Sequence, residues 1–461
     1  MSEIYDFNRS YGAVKRYIIF IFKCFYGEYI INGRENIPEE GPVIYAANHL
    51  NALMDALAVI SILPHKRPIV YLARSDMFKN KKVAKILRFS KMLPAFRMRD
   101  GLENLEKNNI VFERCAEVLD HNTALGIMPE GNQGGFRRLR PLVKGIFRIA
   151  FSAQQKYGIQ PGVKIVPVGI DYNDFESFGK HIIINIGKPI EVSDYMAEYT
   201  ENPIKATNKL RNRLRDDLVG VTLNLATEKH YDCFETATNV ANTAIVKKLQ
   251  MPNKTLYRFF ARQKIAKRLV ALEKKEIEMT EQLDNLCAEY KENLKQLNLH
   301  SWVLEKKTYK LKGLFVNSLL LLLTTPVFFI GFVLNMIPFF APDIIRKVLK
   351  INFPGGLSSL RFGLGMSTFP IFYILQGIWI YKKLNGSFWN LVIIVPLQYV
   401  FGKLSFQWYK SYKKLLAKLR YRRLQHQNSP VLLKTKLLHE QIIKIVQTPK
   451  IGKEPKVPSF Q

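Results

Sequence analysis

The chain has 461 residues, enough for two or three units and a sizeable core. Its 69 lysines and arginines against 38 acids call for a polyanionic partner: nucleic acid, an anionic membrane or a phosphorylated substrate. An apolar content of 48% excludes a disordered basic protein.

The four cysteines (Cys24, Cys115, Cys233, Cys287) are scattered without CxxC spacing. They argue against a zinc site or a disulfide framework, and for a reducing compartment. Met1–Gly12 carries acids, and no small-residue cleavage site follows, unlike a signal peptide. Val14–Tyr26 reads VKRYIIFIFKCFY, too short to span a bilayer. Its aromatics and Lys15, Arg16 and Lys23 suit a helix lying in the interface, so residues 1–31 are read as an interfacial helix. The competing reading is an ordinary buried first helix.

From residue 32 to 192 strand and helix patterns alternate, which predicts a layered α/β domain. Strands are expected at Val43–Ala47, Ile69–Ala73, Ala124–Met128, Lys164–Ile170 and Ile182–Ile186. Helices are expected at Ala52–Leu63, Lys81–Phe89, Leu102–Leu119 and Val143–Gln155.

Four stretches of this domain can carry chemistry. The first strand ends at Asn48-His49, with Asn51 as a candidate N-cap and Asp55 in the first helical turns, able to face the imidazole. The bland alternative is a helix cap plus a surface acid. Leu93–Gly101 holds Arg97 and Arg99 at alternate positions of an extended segment, pointing to one side, where a pair can grip a phosphate. Pro129-Glu130-Gly131 makes a turn directly after an apolar strand and leaves an acid at the strand end. Val166-Pro167-Val168-Gly169 places Pro and Gly inside a strand, which implies an edge, a bulge or a close backbone approach. Each alone reads as readily as a loop, a turn acid or a core strand.

In this order the four blocks resemble the glycerolipid acyltransferase superfamily, over about residues 25–190. They match its histidine-aspartate block (Asn48-His49…Asp55), arginine block (Phe96…Arg99), Pro-Glu-Gly block and Val-Pro-Val block. Two departures stand out. Five residues separate His49 from Asp55 where the family commonly has four, which looks like the fungal branch acylating glycerol 3-phosphate or dihydroxyacetone phosphate. Asn132-Gln133 replaces the usual Thr-Arg, so one phosphate-binding arginine is missing. Arg137 and Arg138 are the expected substitutes, with Arg140 and Lys144 close behind.

The resemblance implies that His49 takes the proton of an acceptor hydroxyl attacking a thioester, while Asp55 fixes the imidazole tautomer. Arg97, Arg99, Glu130 and Gly131 would position the phosphorylated acceptor. No acyl-enzyme, metal or resident cofactor is required; acyl-CoA or an acyl-carrier protein enters as co-substrate. The other seven histidines lack a comparable acid and read as structural.

Residues 193–310 are charged and helical, and Arg262–Leu299 suggests a hairpin or short coiled coil, or simply packed helices. Residues 311–409 form a membrane anchor with apolar runs at Leu314–Phe340, Phe362–Tyr381 and Phe388–Leu404. The first two are long enough to span. Lys306, Lys307, Lys310 and Lys312 before the anchor, and the 14 lysines and arginines from Lys403 onward, place both its ends on the cytoplasmic face. One run must then be re-entrant or interfacial. Phe388–Leu404, with Pro396 and Gln398, is the expected one, and a hairpin at Pro326 is the alternative. Residues 410–461 read as a basic tail suited to anionic lipid.

The fold expected is thus an α/β acyltransferase domain, a helical insert and C-terminal transmembrane helices. The expected activity is acyl transfer to glycerol 3-phosphate, with dihydroxyacetone phosphate as a further acceptor. Acylation of 1-acylglycerol 3-phosphate and a non-enzymatic membrane tether are the other readings. Nucleic acid would explain the charge but not the apolar runs.

Overall fold

The computed structural model describes residues 3–96, 102–158, 160, 162–350, 356–383 and 388–447. They fall into two units: Met1–Asn224 with Asn352–Phe362, and Leu225–Ile351 with Gly363–Gln461.

The first unit opens with α1 (Arg9–Phe25), capped by the Asn8 side chain. There follow β1 (Glu28–Asn32), β2 (Val43–Ala47), α2 (Leu53–Ile62), β3 (Ile69–Arg74), α3 (Lys81–Phe89) and β4 (Met92–Ala95). Then come α4 (Leu102–Asp120), β5 (Ala124–Ile127), α5 (Gly145–Tyr157), β6 (Lys164–Tyr172), β7 (His181–Ile186), β8 (Ile190–Glu191), α6 (Met196–Glu201) and α7 (Pro203–Val221). The eight strands form one sheet in the order β1-β7-β6-β2-β5-β3-β4, with β8 paired to β6. Pairing is parallel except β6 with β7 and β8. The layered α/β domain read from the sequence is therefore present.

Burial explains why the interior strands were legible. β2 is buried at every position and β6 at all but its first residue, which produces continuous apolar runs rather than alternation. One sheet face is covered by α4, α5 and α7, through Cys115, Leu119, Phe147, Phe151, Leu210, Leu214 and Leu218. The unit thus runs past residue 192, because α7 uses its apolar stripe on the sheet. Helix α1 buries Tyr11, Ile19, Phe22 and Phe25, as an ordinary first helix does, and leaves Val14, Tyr17 and Phe20 exposed.

The second unit holds α8 (Tyr231–Lys248), α9 (Thr255–Lys275), α10 (Ile277–Leu297), α11 (Leu311–Val348), the body of α12 (Leu357–Lys383), α13 (Phe388–His426) and α14 (Pro430–Gln447). α9 and α10 are separated by Glu276 alone, and with α8 and α14 they bury Leu269, Leu283, Tyr290, Leu438 and Ile442. The basic tail is therefore not free over 410–447: it continues α13 and then packs as α14. Residues 448–461 lie outside the described residues.

The re-entrant form expected of Phe388–Leu404 and the hairpin at Pro326 are corrected. α13 continues unbroken through Pro396, so Phe388–Leu404 does not fold back on itself. α11 likewise continues through Pro326, Pro338 and Pro342 without a hairpin. In an apolar setting a backbone keeps its helical hydrogen bonds and yields only the one that proline removes. α11 and α13 run antiparallel and close. The Trp408 indole donates to Leu321 O at 2.9 Å, and a Cβ on Gly331 would stand 2.2 Å from Phe401 O. Asn335, Tyr373 and Gln398 knit α11, α12 and α13 together: Asn335 Nδ2 donates to Gln398 O, the Tyr373 hydroxyl to Asn335 Oδ1, and Gln398 Nε2 to Tyr373 O.

Candidate active site

β2 delivers its last residues to the centre of the sheet, between β5 and β6. Asn48 extends the pairing by one residue, because its side chain accepts from Ile170 N at 2.7 Å and donates to Ile170 O at 3.0 Å. The backbone N–H of His49 donates to Glu130 Oε1 at 3.0 Å, and its carbonyl accepts from Gly134 N at 3.0 Å. The histidine is thus pinned on both sides by the turn after β5.

The ring of His49 lies with Nδ1 2.9 Å from Asp55 Oδ2. Asp55 is fully buried, whereas the His49 side chain is 21% exposed. The carboxylate also accepts from Leu50 N at 2.8 Å, Asn51 N at 2.7 Å and the Tyr172 hydroxyl at 2.7 Å. Burial, and then the Asp55 charge, push the Tyr172 phenol well above its ordinary range, so it remains a donor. With Asp55 accepting at Nδ1, the other ring nitrogen is the free acceptor that a general base needs.

The expected Asn51 cap is corrected. Asn51 O accepts from Met54 N at 2.9 Å, and Ala52 sits at φ 45°, ψ −122°, in a type II′-like turn that leads into α2. The turn accommodates five residues between histidine and aspartate, and it aims the Asn51 side chain away from the helix. Asn51 Nδ2 donates to Phe175 O, and its Oδ1 accepts from the Ser358 hydroxyl.

Glu130 is buried. Its Oε2 accepts from the backbone N–H of Arg140 at 3.3 Å and from Arg140 Nε at 2.8 Å. Gly131 has φ 73°, a value that glycine adopts without strain, and its N–H closes the turn on Met128 O. Arg137, expected near a phosphate, is placed otherwise. It is 4% exposed, donates from Nε to Asp171 Oδ1 at 3.0 Å and from Nη2 to Tyr172 O, and stacks on Phe175. Arg138 is half-buried. Arg140 Nη2 has no hydrogen-bond partner and lies one carboxylate away from His49. Arg97 and Arg99 lie outside the described residues. The Val-Pro-Val stretch belongs to interior strand β6. Of its three expected explanations, close approach is the one observed: a Cβ on Gly169 would stand 2.1 Å from Val221 O.

Sequence reasoning missed Tyr172 and Ser358, whose only signal is spatial, and gave Arg140 second place to Arg137. Among the described residues no group of three or more His, Cys, Asp or Glu side chains is arranged to hold a metal.

Residues 28–171 match the Acyltransferase family model. The chain is 28% identical over 145 residues to glycerol-3-phosphate O-acyltransferase 1 of Saccharomyces cerevisiae, a match covering 31% of this chain and 19% of that protein. The matched segment is therefore about a fifth of the relative's length. The crystal structure of the 1-acyl-sn-glycerophosphate (LPA) acyltransferase from Thermotoga maritima aligns with TM-score 0.34 and 17% identity, over 46% of this chain and 78% of that one. Residues 28–171, which carry His49, Asp55 and Glu130, are thus similar to an acyltransferase domain of the kind found in glycerolipid acyltransferases.

Proposed function

We propose that this domain moves an acyl chain from a soluble thioester to a hydroxyl of glycerol 3-phosphate. The observation that carries the reading is His49, held by Asp55 at one nitrogen and partly exposed at the ring. The acceptor hydroxyl gives its proton to the free ring nitrogen of His49 as its oxygen bonds to the thioester carbon. Asp55 stabilises the resulting imidazolium. The C–S bond then breaks, and the leaving thiolate takes the proton back from the ring. Arg140, with Arg97 and Arg99, would hold the acceptor phosphate, and Glu130 orients Arg140. Positioning of this kind lowers barriers by several kcal/mol, up to about 7–11 kcal/mol in favourable intramolecular cases.

The five-residue spacing and the yeast relative's name favour glycerol 3-phosphate over its 1-acyl derivative. Acyl-CoA or an acyl-carrier protein would serve as donor. Membrane association rests on α11 and α12, which are long and apolar enough to cross a bilayer, and on the basic residues of α13 and α14, which suit anionic lipid. The soluble donor requires the catalytic domain to face the cytoplasm.

The test is full-length protein with labelled glycerol 3-phosphate or its 1-acyl form, each with both donors. Wild-type protein should acylate glycerol 3-phosphate, and His49→Ala should lose about a hundredfold or more of kcat while melting normally. Normal turnover by folded His49→Ala would end the mechanism. No turnover by the wild type would favour a tether.

A further inference from the structure

The catalytic turn is closed by a residue from far along the chain. Residues Leu357–Phe362, the first turns of α12, belong to the first unit, while α12 continues from Gly363 in the second. Ser358 is 1% exposed, and its hydroxyl donates to Asn51 Oδ1 at 2.7 Å. Arg361 Nη1 donates to Glu176 O at 2.9 Å, next to Phe175, whose carbonyl accepts the Asn51 amide. Phe362 packs edge-on to Phe22 and Phe25, with ring centroids 6.2 and 6.1 Å away. The segment is therefore seated at three places, and one of them is Asn51.

Asn51 matters because its backbone N–H is one of the donors to Asp55. The residue after it, Ala52, holds a positive φ in a conformation that favours glycine. Strained turns of this kind persist only where the surroundings over-determine them. Two of the restraints act on the Asn51 amide, one from Phe175 and one from Ser358. Without the Ser358 hydroxyl, Asn51 Oδ1 is left as a buried acceptor with that partner gone, and Ala52 is free to relax toward negative φ. The Asn51 N–H then turns away from Asp55, and the imidazole loses its fixed orientation.

We propose that Ser358 is a positioning residue for acyl transfer: through Asn51 it holds the turn that sets the His49–Asp55 pair, so the start of α12 is part of the active site. This rests on the acyl-transfer reading above. It predicts a KM-against-kcat split, since neither Ser358 nor Asn51 is assigned a substrate contact.

The experiment is a double-mutant cycle on the full-length protein in detergent or vesicles, with Ser358→Ala, Asn51→Ala and both together. Melting is measured alongside kcat and both KM values. Ser358→Ala should lower kcat about tenfold and leave both KM values within about twofold. The double variant should be no slower than Asn51→Ala, because both changes cut one chain of contacts. Wild-type kcat in Ser358→Ala overturns the proposal, and so does a loss confined to KM or losses that multiply in the double variant. An inactive wild type instead refutes the acyl-transfer reading, so the two failures are distinguishable.

Discussion

The two arginines that follow the Glu130 turn differ in what surrounds them, and so in what their loss should do. Arg137 neutralises Asp171 in a site where both are nearly inaccessible. Removing one member of such a pair leaves an uncompensated buried charge, so Arg137→Ala should cost about 3–5 kcal/mol of stability and show in melting before it shows in kinetics. The Arg140 side chain is partly exposed, pairs with Glu130 through Nε, and keeps a buried Nη2 without a hydrogen-bond partner. Arg140→Ala should raise the KM for the phosphorylated acceptor with little change in the donor KM, and should also lower the melting temperature, because it leaves the buried Glu130 carboxylate without its ion-pair partner. The opposite pattern between these variants would exchange the two roles. Lys15 offers a pH test. Burial, and secondarily the Arg67 charge, hold its ammonium down at about 8, against an ordinary 10.5. Between those values the unfolded chain binds a proton that the folded chain has released, so this group makes stability rise with pH across the window. Denaturant midpoints at pH 7.5 and 10 should therefore differ less in Lys15→Met than in the wild type. Equal differences would exonerate Lys15.

Among the elements, β6 carries the heaviest constraints. It pairs on both sides, its carbonyl at Val168 receives Asn48 N, and its end holds Asp171 and Tyr172. The chain at Val221, after α7 has packed on the sheet, crosses so near Gly169 that a methyl group there would meet backbone rather than a movable side chain. Gly169→Ala should destabilise the domain by about 1–3 kcal/mol and depress activity through the β6 end, as measured by melting and turnover together. Unchanged stability would mean that α7 is not held against β6 as described. α3 has the opposite character. It buries Ala84 and Leu87 but exposes Val83, Ile86 and Phe89 among Lys81, Lys82, Lys85 and Arg88, a pattern found on helices that rest on anionic bilayers.

For the molecule as a whole, chain connectivity restricts how α11 meets a membrane. Lys350 stands seven residues before Leu357, and seven extended residues reach at most about 25 Å, short of a hydrocarbon core of about 30 Å. Ser358 is hydrogen-bonded inside the first unit. Between Leu225 and Lys310 no described helix is long and apolar enough to cross. The α13 exit lies beside the α11 entry, because the Tyr421 hydroxyl donates to Lys307 O and Arg422 to Tyr309 O. With single cysteines at 306, 350 and 425, in a background without the native four, an impermeant reagent applied to sealed membranes should treat 306 and 425 alike, and opposite labelling of these two would overturn the shared face. A residue 350 that differs from both marks a crossing by α11, and one that matches them puts both ends of α11 on one face.

Short-range features are legible in the amino-acid sequence itself. His49 and Asp55 stand near enough along the chain for one strand-to-helix turn to bring their side chains together. The interior strands betray themselves as apolar runs because both of their faces are buried. β1, β4 and β8 leave weaker traces: short and partly exposed, they lack the uninterrupted burial that marks the centre of the sheet. Long-range decisions are not legible in this way. Which arginine is sealed against Asp171 and which pairs with Glu130 while staying partly exposed depends on segments that only folding brings near. The Ser358–Asn51 bond joins residues 307 positions apart. No periodicity encodes such a contact, because it is chosen by the packing of whole elements, and the helix that supplies Ser358 reads in one dimension as nothing more than an apolar run.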